Sequence, residues 1–499
     1  MFEIKDFIPR LYQENILKTT KEKNTLVCLP TGTGKTKNAI LLAIHRLNTF
    51  PDSKTIILSP TKPLSNQICE ECKSSTDIPA SQINLLTGML KPDERKKFFE
   101  VSRIIVATPQ TIANDSKNNL ISLKDVSLLV IDECHRSRQK YANTTVSSVY
   151  ISQSTNPRIL ALTASPGATK EKIGEICKNL YIEDVEIRTE EDPDVLPYIQ
   201  KKEIEYVKLD LPAEIKQVSS LITEVYKEKL SLLKNFGMMK PVSVINKRDL
   251  LFMQKYFQNE LRRGNKSSFA ALSLIAQAIK IGYMLELLET QSTLAFQKYI
   301  KKLSEETSKA AKVILNHTKI QQALKSIEQN NATHPKLTKM KEIVTETLRE
   351  NEHAKMIIFA NYRSMVDELK ELLASITGAK PAILVGQKLG FSQKEQMEII
   401  EKFNSNVFNI LITTSIGEEG IHLGGSLELA VMFDSTGSEI RKIQRSGRVA
   451  RVKPGKIIHL ITKGTRDEAL LWTSHKKEKK MQSILKKMKQ NIEKQEKLF

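Results

Sequence analysis

Two clusters of residues carry a spacing suited to nucleotide chemistry. Leu29-Pro30-Thr31-Gly32-Thr33-Gly34-Lys35-Thr36 packs two glycines, a lysine and three threonines into one short stretch. A glycine-rich turn aims its backbone N–H groups inward, and with the N-terminus of a following helix it cradles phosphates. Lys35 would then meet the β- and γ-phosphates of ATP, with the Thr36 hydroxyl on Mg²⁺. Leu29 stands where the general phosphate-loop pattern has its first glycine, and the bland alternative is an ordinary glycine turn. Further on comes Leu129-Val130-Ile131-Asp132-Glu133-Cys134-His135. Carboxylates at the end of an apolar strand open onto the same crevice as the phosphate loop when both strands share a sheet. Asp132 would hold Mg²⁺ and Glu133 would orient and deprotonate the attacking water. Alone, the same four polar residues could be a mere strand end.

These residues need a sheet to position them. Short apolar runs alternate with helix-like segments over residues 1–204: Thr25–Leu29, Thr55–Ser59, Ile104–Ala107, Leu128–Ile131 and Ile159–Leu162. Buried parallel strands read as continuous apolar runs, so the alternation predicts a doubly wound α/β lobe. Residues 331–475 repeat the pattern with Met356–Phe359, Ala382–Val385, Ile410–Thr413, Ala430–Phe433 and Ile457–Ile461, predicting a second lobe. The stretch between them, 205–330, is rich in Leu, Lys, Glu, Gln and Ala at helical spacing. Ile281, Leu285, Leu288 and Leu294 form its apolar stripe, so it reads as a helical insert. Residues 476–499 carry nine Lys against three Glu, with Met481, Leu485, Met488 and Ile492 at helical intervals. This predicts a basic amphipathic last helix, for which a solvated, frayed end is the alternative.

The chain of 499 residues carries 77 Lys+Arg against 57 Asp+Glu, a formal charge of +20 that favours a polyanionic partner. A 40% hydrophobic content argues against disorder. No apolar run approaches the ~20 residues that cross a bilayer, and the first ten residues lack a secretory apolar stretch, so no membrane partner is expected. Five unpatterned cysteines fit a reduced cytosol. Cys69 and Cys72 form a lone C-x-x-C without a second pair, and two thiols on a helix is the preferred reading over a metal site.

The phosphate loop and Asp132-Glu133-Cys134-His135 resemble motifs I and II of the DEAD/DEAH-type superfamily 2 helicases, and the remaining motifs appear in order. Ser59-Pro60-Thr61-Lys62-Pro63-Leu64, Leu86-Thr87-Gly88 and Ala107-Thr108-Pro109-Gln110 resemble the strand-gripping elements of the first lobe. Thr163-Ala164-Ser165 is similar to motif III, Ile412–Ile421 to motif V, and Gln444-Arg445-Ser446-Gly447-Arg448-Val449-Ala450-Arg451 to motif VI. The resemblance implies two RecA-like lobes, each a doubly wound parallel sheet, with ATP and Mg²⁺ as cofactors. It places Pro60, Thr61, Lys62, Thr87, Gly88, Thr108, Pro109, Asn361, Tyr362, Arg363, Gly386, Gln387, Thr413 and Ser415 along a nucleic acid. Gly420 joins the nucleotide site. Arg448 and Arg451 would stabilise charge on the γ-phosphate from across the interface, with Gln444 beside it.

Arg10-Leu11-Tyr12-Gln13 resembles an adenine-side element, with Arg10 and Gln13 at the base and the Gln13 amide supplying a paired donor and acceptor. Glu286–Gln291, Tyr299–Lys302, Val385-Gly386-Gln387, Gly417–Gly420 and Gly464–Glu468 are similar to archaeal Hef and the Fanconi-anaemia group M translocases. That branch implies replication forks and four-way Holliday junctions as substrates, a thumb-like helical insert that reads DNA structure, and a role in fork repair or restart. A sliding clamp or a separate nuclease are the candidate protein partners, the chain itself is expected as a monomer, and the compartment is an archaeal cytoplasm at the nucleoid. The sequence departs from the branch at Gly420-Ile421-His422, which has His422 in place of an acid, and at Val449-Ala450, which replaces Thr-Gly. Hef carries an E-R-K-x-x-x-D nuclease signature. Glu94-Arg95-Lys96 here is followed by Glu100 and falls in the first lobe, so a solvated helix start is expected and no nuclease site. Two other functions remain open: a double-stranded-RNA-dependent ATPase of the Dicer and RIG-I-like branch, and an ATP-inert junction scaffold.

Overall fold

The apolar runs become strands buried on both faces. In the computed structural model, which describes residues 1–139, 141–200, 202–330, 332–386, 391–414, 423, 427–447 and 455–496, they assemble into two parallel sheets. Lobe 1 contains β1 (Thr25–Cys28), β2 (Lys54–Leu58), β3 (Ile83–Leu86), β4 (Ile104–Ala107), β5 (Val126–Ile131), β6 (Ile159–Thr163) and β7 (Asp184–Ile187). Their order in the sheet is β3-β4-β2-β5-β6-β1-β7. Every residue of β1, β4, β5 and β6 is buried, because helices cover both faces. One core gathers Leu26, Ile56, Ile105 and Leu129 on one side of the sheet, and a second gathers Val27, Ile57, Val106 and Val130 on the other. These residues alternate along the strands, as the period of two requires.

Lobe 2 holds β8 (Lys202–Leu209), β9 (Met356–Phe359), β10 (Pro381–Leu384), β11 (Ile410–Thr413), β12 (Leu429–Met432) and β13 (Gly455–Thr462), in the order β10-β11-β9-β12-β13-β8. Strand β8 corrects the expected boundary at 204/205. It pairs in parallel with β13 from Lys202↔Gly455 to Leu209↔Thr462, so the chain lays down an edge of the second sheet before entering the helical region. At the sheet edge none of its residues is fully buried and charged residues mix with apolar ones, so a search for continuous apolar runs passes over such a strand.

The helical region comprises Ala213–Leu232, Lys247–Arg262, Ser268–Thr290, Thr293–Glu305, Lys309–Leu315 and Thr318–Gln329. Its axis is the 23-residue helix Ser268–Thr290, which holds an 18-residue stretch with a mean hydropathy of 1.5 and is the one helix among the described residues long and apolar enough to cross a membrane. The expectation that no apolar run reaches that length needs this correction. Ile275, Ala278, Ile281, Met284 and Leu288 are all buried within the insert's own packing, and a helix enclosed by other helices is apolar on most sides. Leu294 departs from the expected stripe: it opens the next helix and is 39% exposed.

The insert is rooted in lobe 2. Gln291 Nε2 donates to Asp434 Oδ1 at 2.6 Å, Ser292 Oγ donates to Glu368 at 2.7 Å, and Tyr362 Oη donates to Glu286 at 2.5 Å. Lys336 donates to the carbonyls of Thr290 at 3.1 Å and Phe433 at 2.7 Å, and forms an ion pair with Asp467. Neither side chain of that pair is more than 3% exposed. A buried charge is tolerable only when so paired.

The carboxyl-terminal expectation also changes. Residues Arg466–Glu496 form one helix, begun at this polar root on lobe 2, so 476–496 is no separate tail. Farther along, Met481 and Leu485 are buried in the core of lobe 1, with Met488 packed against it. Lys489 Nζ meets Glu186 of β7 at 2.8 Å. The alternative of a solvated last helix is therefore wrong for this stretch: its apolar stripe has a partner, and that partner is the other lobe.

Candidate nucleotide and nucleic-acid site

Strand β1 lies between β6 and β7, and the loop leaving it turns into the helix Lys35–Thr49. Gly32 at φ +82° and Gly34 at φ +76° occupy the left-handed region, where a side chain is strained. A Cβ on Gly34 would also press on Gln13 Nε2 at 3.3 Å. The loop is held from within and behind: Thr33 Oγ1 donates to Pro30 O at 2.7 Å, and the Tyr12 hydroxyl donates to Thr33 O. Arg10 donates to Tyr12 Oη at 3.2 Å and stacks 4.7 Å over Tyr198, while its backbone N–H donates to Gln13 Oε1 at 2.9 Å. Arg10 and Gln13 therefore stand beside the phosphate loop. Tyr12, which sequence reasoning did not single out, is the strut between them and the loop; its position inside the Arg10–Gln13 string was the available signal. Lys35 Nζ folds onto the carbonyls of Leu29 and Pro30, each at 3.3 Å.

Asp132 and Glu133 follow β5, next but one to β1. Burial, with the neighbouring Glu133 carboxylate, pushes Asp132 up to about 7 against the pull of Lys35. Burial works on Glu133 too, but the hydrogen bond and charge of His135, with Lys35 and Arg136, outweigh it and hold that carboxyl below its usual range. Glu133 has φ +48°, an uncommon conformation for a residue with a side chain, and sits at the turn that aims it. Its Oε2 is buried and lies 3.1 Å from His135 Nδ1. His135 Nδ1 is also 3.4 Å from Thr163 Oγ1 of the motif III strand. Cys134 is sealed in the core, its thiol pushed up by burial. Two largely buried acids under the charge of Lys35, with the Thr36 hydroxyl in the first turn of the helix after the phosphate loop, make an oxygen set of the kind a hard divalent cation takes, so the residues fit Mg²⁺.

Lobe 2 reaches this loop directly. Gly447 caps the helix Glu439–Ser446, and a Cβ placed on it would overlap Oγ1 and Cβ of Thr31 in the phosphate loop. Its φ of −74° suits any residue, so space, not backbone freedom, demands glycine. Gln444 is buried on the same helix. Arg445, also buried, ties the helix to its lobe: it donates to Asp434 O at 3.3 Å and Asn361 Oδ1 at 2.8 Å. Arg448, Arg451, Gly420, Ser415 and Gln387 lie outside the described residues.

Among the expected nucleic-acid contacts, those of lobe 1 cluster on adjacent strands β3, β4 and β2. Thr61 caps the helix Lys62–Ser75 and Thr108 caps Pro109–Lys117, with no side-chain cap bond at either, and Thr61 Oγ1 is buried without a partner. Pro60 and Lys62 flank the first cap and are partly exposed, while Thr87-Gly88 follows the edge strand β3 beside the second cap, with Gly88 exposed. First-turn N–H groups at such helix starts suit phosphate oxygens. Pro109 is buried and serves the helix start. Lobe 2 departs further from expectation. Thr413 is fully buried and its hydroxyl donates to Leu384 O at 2.8 Å, so its side chain faces no strand. Asn361 is spent on Arg445 within lobe 2, and Tyr362 is spent on Glu286, which fastens it to the insert. Arg363 pairs with Asp367 at 3.1 Å and Gly386 borders open space.

Outside the site, one sequence reading changes and the helical reading of the Cys69/Cys72 pair holds. Arg95 of the E-R-K string makes a bidentate pair with Asp115 at 2.6 and 2.7 Å, so it anchors the helix Pro92–Val101 and is more than a solvated start. Cys69 and Cys72 are buried on one helix, where burial raises both thiols.

This arrangement has known counterparts. Residues 10–173 match the DEAD/DEAH box helicase model, 335–453 the helicase conserved C-terminal domain, and 214–334 a helical bundle described for an ATP-dependent RNA helicase. An ATP-dependent RNA helicase of Methanocaldococcus jannaschii is 38% identical over 96% of this chain and 61% of its own length. The ATP-dependent DNA helicase fml1 of Schizosaccharomyces pombe is 33% identical over 91% of this chain and 57% of its own. The Fanconi anemia group M protein homolog of Mus musculus is 28% identical over 91% of this chain and 25% of its own. The chain thus spans less than two thirds of these relatives. The crystal structure of the Pyrococcus furiosus Hef helicase domain superposes with a TM-score of 0.73 at 40% identity, covering 94% of this chain and 98% of that one. With both lobes and the insert matched across that length, the chain belongs to the Hef, Mph1 and Fanconi anaemia group M family of DEAD/DEAH box helicases.

Proposed function

We propose that the protein is an ATP-dependent helicase or translocase acting on forked and branched DNA, in fork repair or restart. The observation that carries the motor reading is the contact of Gly447 with Thr31, which brings motif VI of lobe 2 onto the phosphate loop of lobe 1. ATP would enter with Arg10 and Gln13 at its base and the N–H groups of the glycine turn at its phosphates. Mg²⁺, held by Asp132 and Thr36, would neutralise phosphate charge. Lys35 would leave the Leu29 and Pro30 carbonyls for the γ-phosphate, and Glu133 would take the proton of the attacking water while His135 keeps its carboxyl ionised. Gln444, Arg448 and Arg451 would add transition-state charge from lobe 2, so turnover requires the lobes together. Lys35→Ala is expected to abolish hydrolysis while leaving DNA binding in place; near wild-type turnover would sink the assignment.

The branched-DNA reading rests on the insert. Strand-gripping motifs hold phosphates and do not distinguish a fork from a linear duplex. The insert is the large element outside them and carries Lys247-Arg248, Arg262-Arg263 and Lys301-Lys302. Fml1 and Mph1, both DNA helicases by name, align with 91% and 92% of this chain, insert included. A duplex-RNA-dependent ATPase is the second reading, favoured by the names of the helical-bundle model and the M. jannaschii relative. ATPase rates stimulated by fork DNA, linear duplex DNA and duplex RNA, measured side by side, separate the two. Charge reversal in the insert should also make salt dependence on fork DNA shallower, by ~0.9 in log–log slope per lost phosphate contact.

A further inference from the structure

The insert helix Lys247–Arg262 turns outward a face that its own packing does not use. Leu250 and Met253 hold it against Ile275 and Ala278, whereas Phe252 is 75% and Tyr256 54% exposed. Four residues apart on a helix, these two rings stand one above the other. Tyr256 is braced edge-on by Phe257 at 5.1 Å, which leans in turn on Phe236 at 6.3 Å, so its ring is oriented before anything binds. Arg248 lies one turn before Phe252, and Lys255 lies beside Tyr256. Lys247, Arg248, Lys255 and Arg262 are exposed and, among the described residues, none is ion-paired. The helix's two acids are already taken, Asp249 by Lys240 at 2.6 Å and Glu260 by Arg263 at 3.0 Å. The uncommitted charge on this face is therefore positive, and it surrounds two aromatic planes.

Phosphates complement the cations, and the flat faces of unpaired bases complement the rings; a single-stranded nucleic acid offers both together. A fully paired duplex hides its base faces and would leave the rings in water. We propose that Phe252 and Tyr256 form a stacking platform for unpaired bases at a branch, with Arg248 and Lys255 on the flanking phosphates. This rests on the branched-nucleic-acid reading and adds what the insert reads there: exposed bases as well as shape.

The test compares three DNA probes by anisotropy without nucleotide: a fork with single-stranded arms, the same fork with abasic arms, and the fork with both arms paired. The full chain is expected to bind the first more tightly than the second. Phe252→Ala and Tyr256→Ala should each weaken the first by roughly five-fold or more and leave the abasic fork unchanged. Phe252→Trp and Tyr256→Phe should retain binding, and 2-aminopurine in an arm should be quenched by the wild-type chain but not by the double alanine variant. Equal wild-type affinity for intact and abasic arms overturns the proposal, as does an alanine effect that is absent or identical on both; the face would then be spare or serve a protein. If instead the chain shows no preference for any fork over linear duplex, the branched-DNA reading fails separately. The comparison of intact with abasic bases on a plain single strand still decides the stacking.

Discussion

Placing a methyl group at residue 447 tests whether the seam between the lobes is the working site. In Gly447→Ala the new Cβ would overlap Thr31 Oγ1 and Cβ, while φ −74° leaves the backbone unstrained and the position is outside either lobe's core. The clash can be relieved without unfolding, by the lobes moving apart. Overpacking of this kind costs about 1–3 kcal/mol, here charged to closure, so DNA-stimulated turnover should fall roughly 5- to 150-fold. Thermal unfolding should stay near wild type, and so should nucleic-acid affinity without nucleotide. Thr31→Gly removes the atoms in conflict, so the double variant should recover much of the rate lost by Gly447→Ala, giving a coupling energy of the order of the clash. Steady-state ATPase measurements on the four proteins of this cycle are sufficient. Wild-type turnover in Gly447→Ala, or strictly additive losses in the double variant, would refute the claim that closure brings these two residues into contact.

Other perturbations report on the framework. Removing one partner of the buried Lys336–Asp467 pair, as in Asp467→Ala, should cost about 3–5 kcal/mol in denaturant unfolding, and the paired replacement Lys336→Met with Asp467→Leu should return much of it. Leu485→Ala opens a cavity between the last helix and lobe 1, a cost of roughly 2–5 kcal/mol; amide exchange over 476–496 should accelerate while the β9–β12 amides stay protected. His334, buried and accepting no proton until about pH 3, titrates in the unfolded chain near pH 6.5. The unfolded state therefore binds the extra proton as pH falls below 6.5, and stability should drop by roughly 1.4 kcal/mol per pH unit from this group. Urea unfolding between pH 6.5 and 5 should lose that slope in His334→Gln; an unchanged slope would place the titration elsewhere.

The nucleotide site was legible because its chemistry is local. A glycine turn, a lysine and a helix start are contiguous in the chain, and the two acids end a strand whose apolar run marks it as buried. The lobes were legible for the same reason: β1, β4, β5 and β6 are buried on both faces and advertise it. What was hidden depends on long-range pairing. Strand β8, at a sheet edge with no residue fully buried, mixes charged with apolar residues, and nothing local says that its partner is β13, some 250 residues on. Thr413 and Tyr362 look like strand contacts in a motif, yet one hydroxyl is buried under β10 and the other is bound by Glu286 of the insert. Gly447 reads as one more motif glycine until Thr31 is seen against it. The last helix shows its apolar stripe in sequence, but not that lobe 1 supplies the other half of the core.

These long-range pairings decide which parts move together. The insert begins after β8 and ends before the helix Pro335–Glu350, so both of its chain connections belong to lobe 2. Its polar ties to the lobes, among the described residues, run to Asp434, Glu368, Tyr362, Lys336 and Arg466, all on that same side. Glu286 alone receives both Tyr362 and Arg466, and Gln291 shares Asp434 with the network that positions Arg445 beside motif VI. Insert and lobe 2 are thereby one packed body, and a rotation that seats Gly447 on Thr31 carries the insert with it. The last helix sets the range of that rotation. It begins with Asp467 in its first turn at the buried root, passes Lys442 of the motif VI helix through Glu478 at 2.7 Å, and docks Met481 against Ser165 of motif III at 2.9 Å. Opening the lobes must either bend this helix or withdraw Met481 and Leu485 from a core in which they are no more than 3% exposed. On the proposed function, nucleotide closure at the seam and the placing of the insert on a branch would be two ends of the same mechanical unit, with the carboxyl-terminal helix as its second point of attachment to lobe 1.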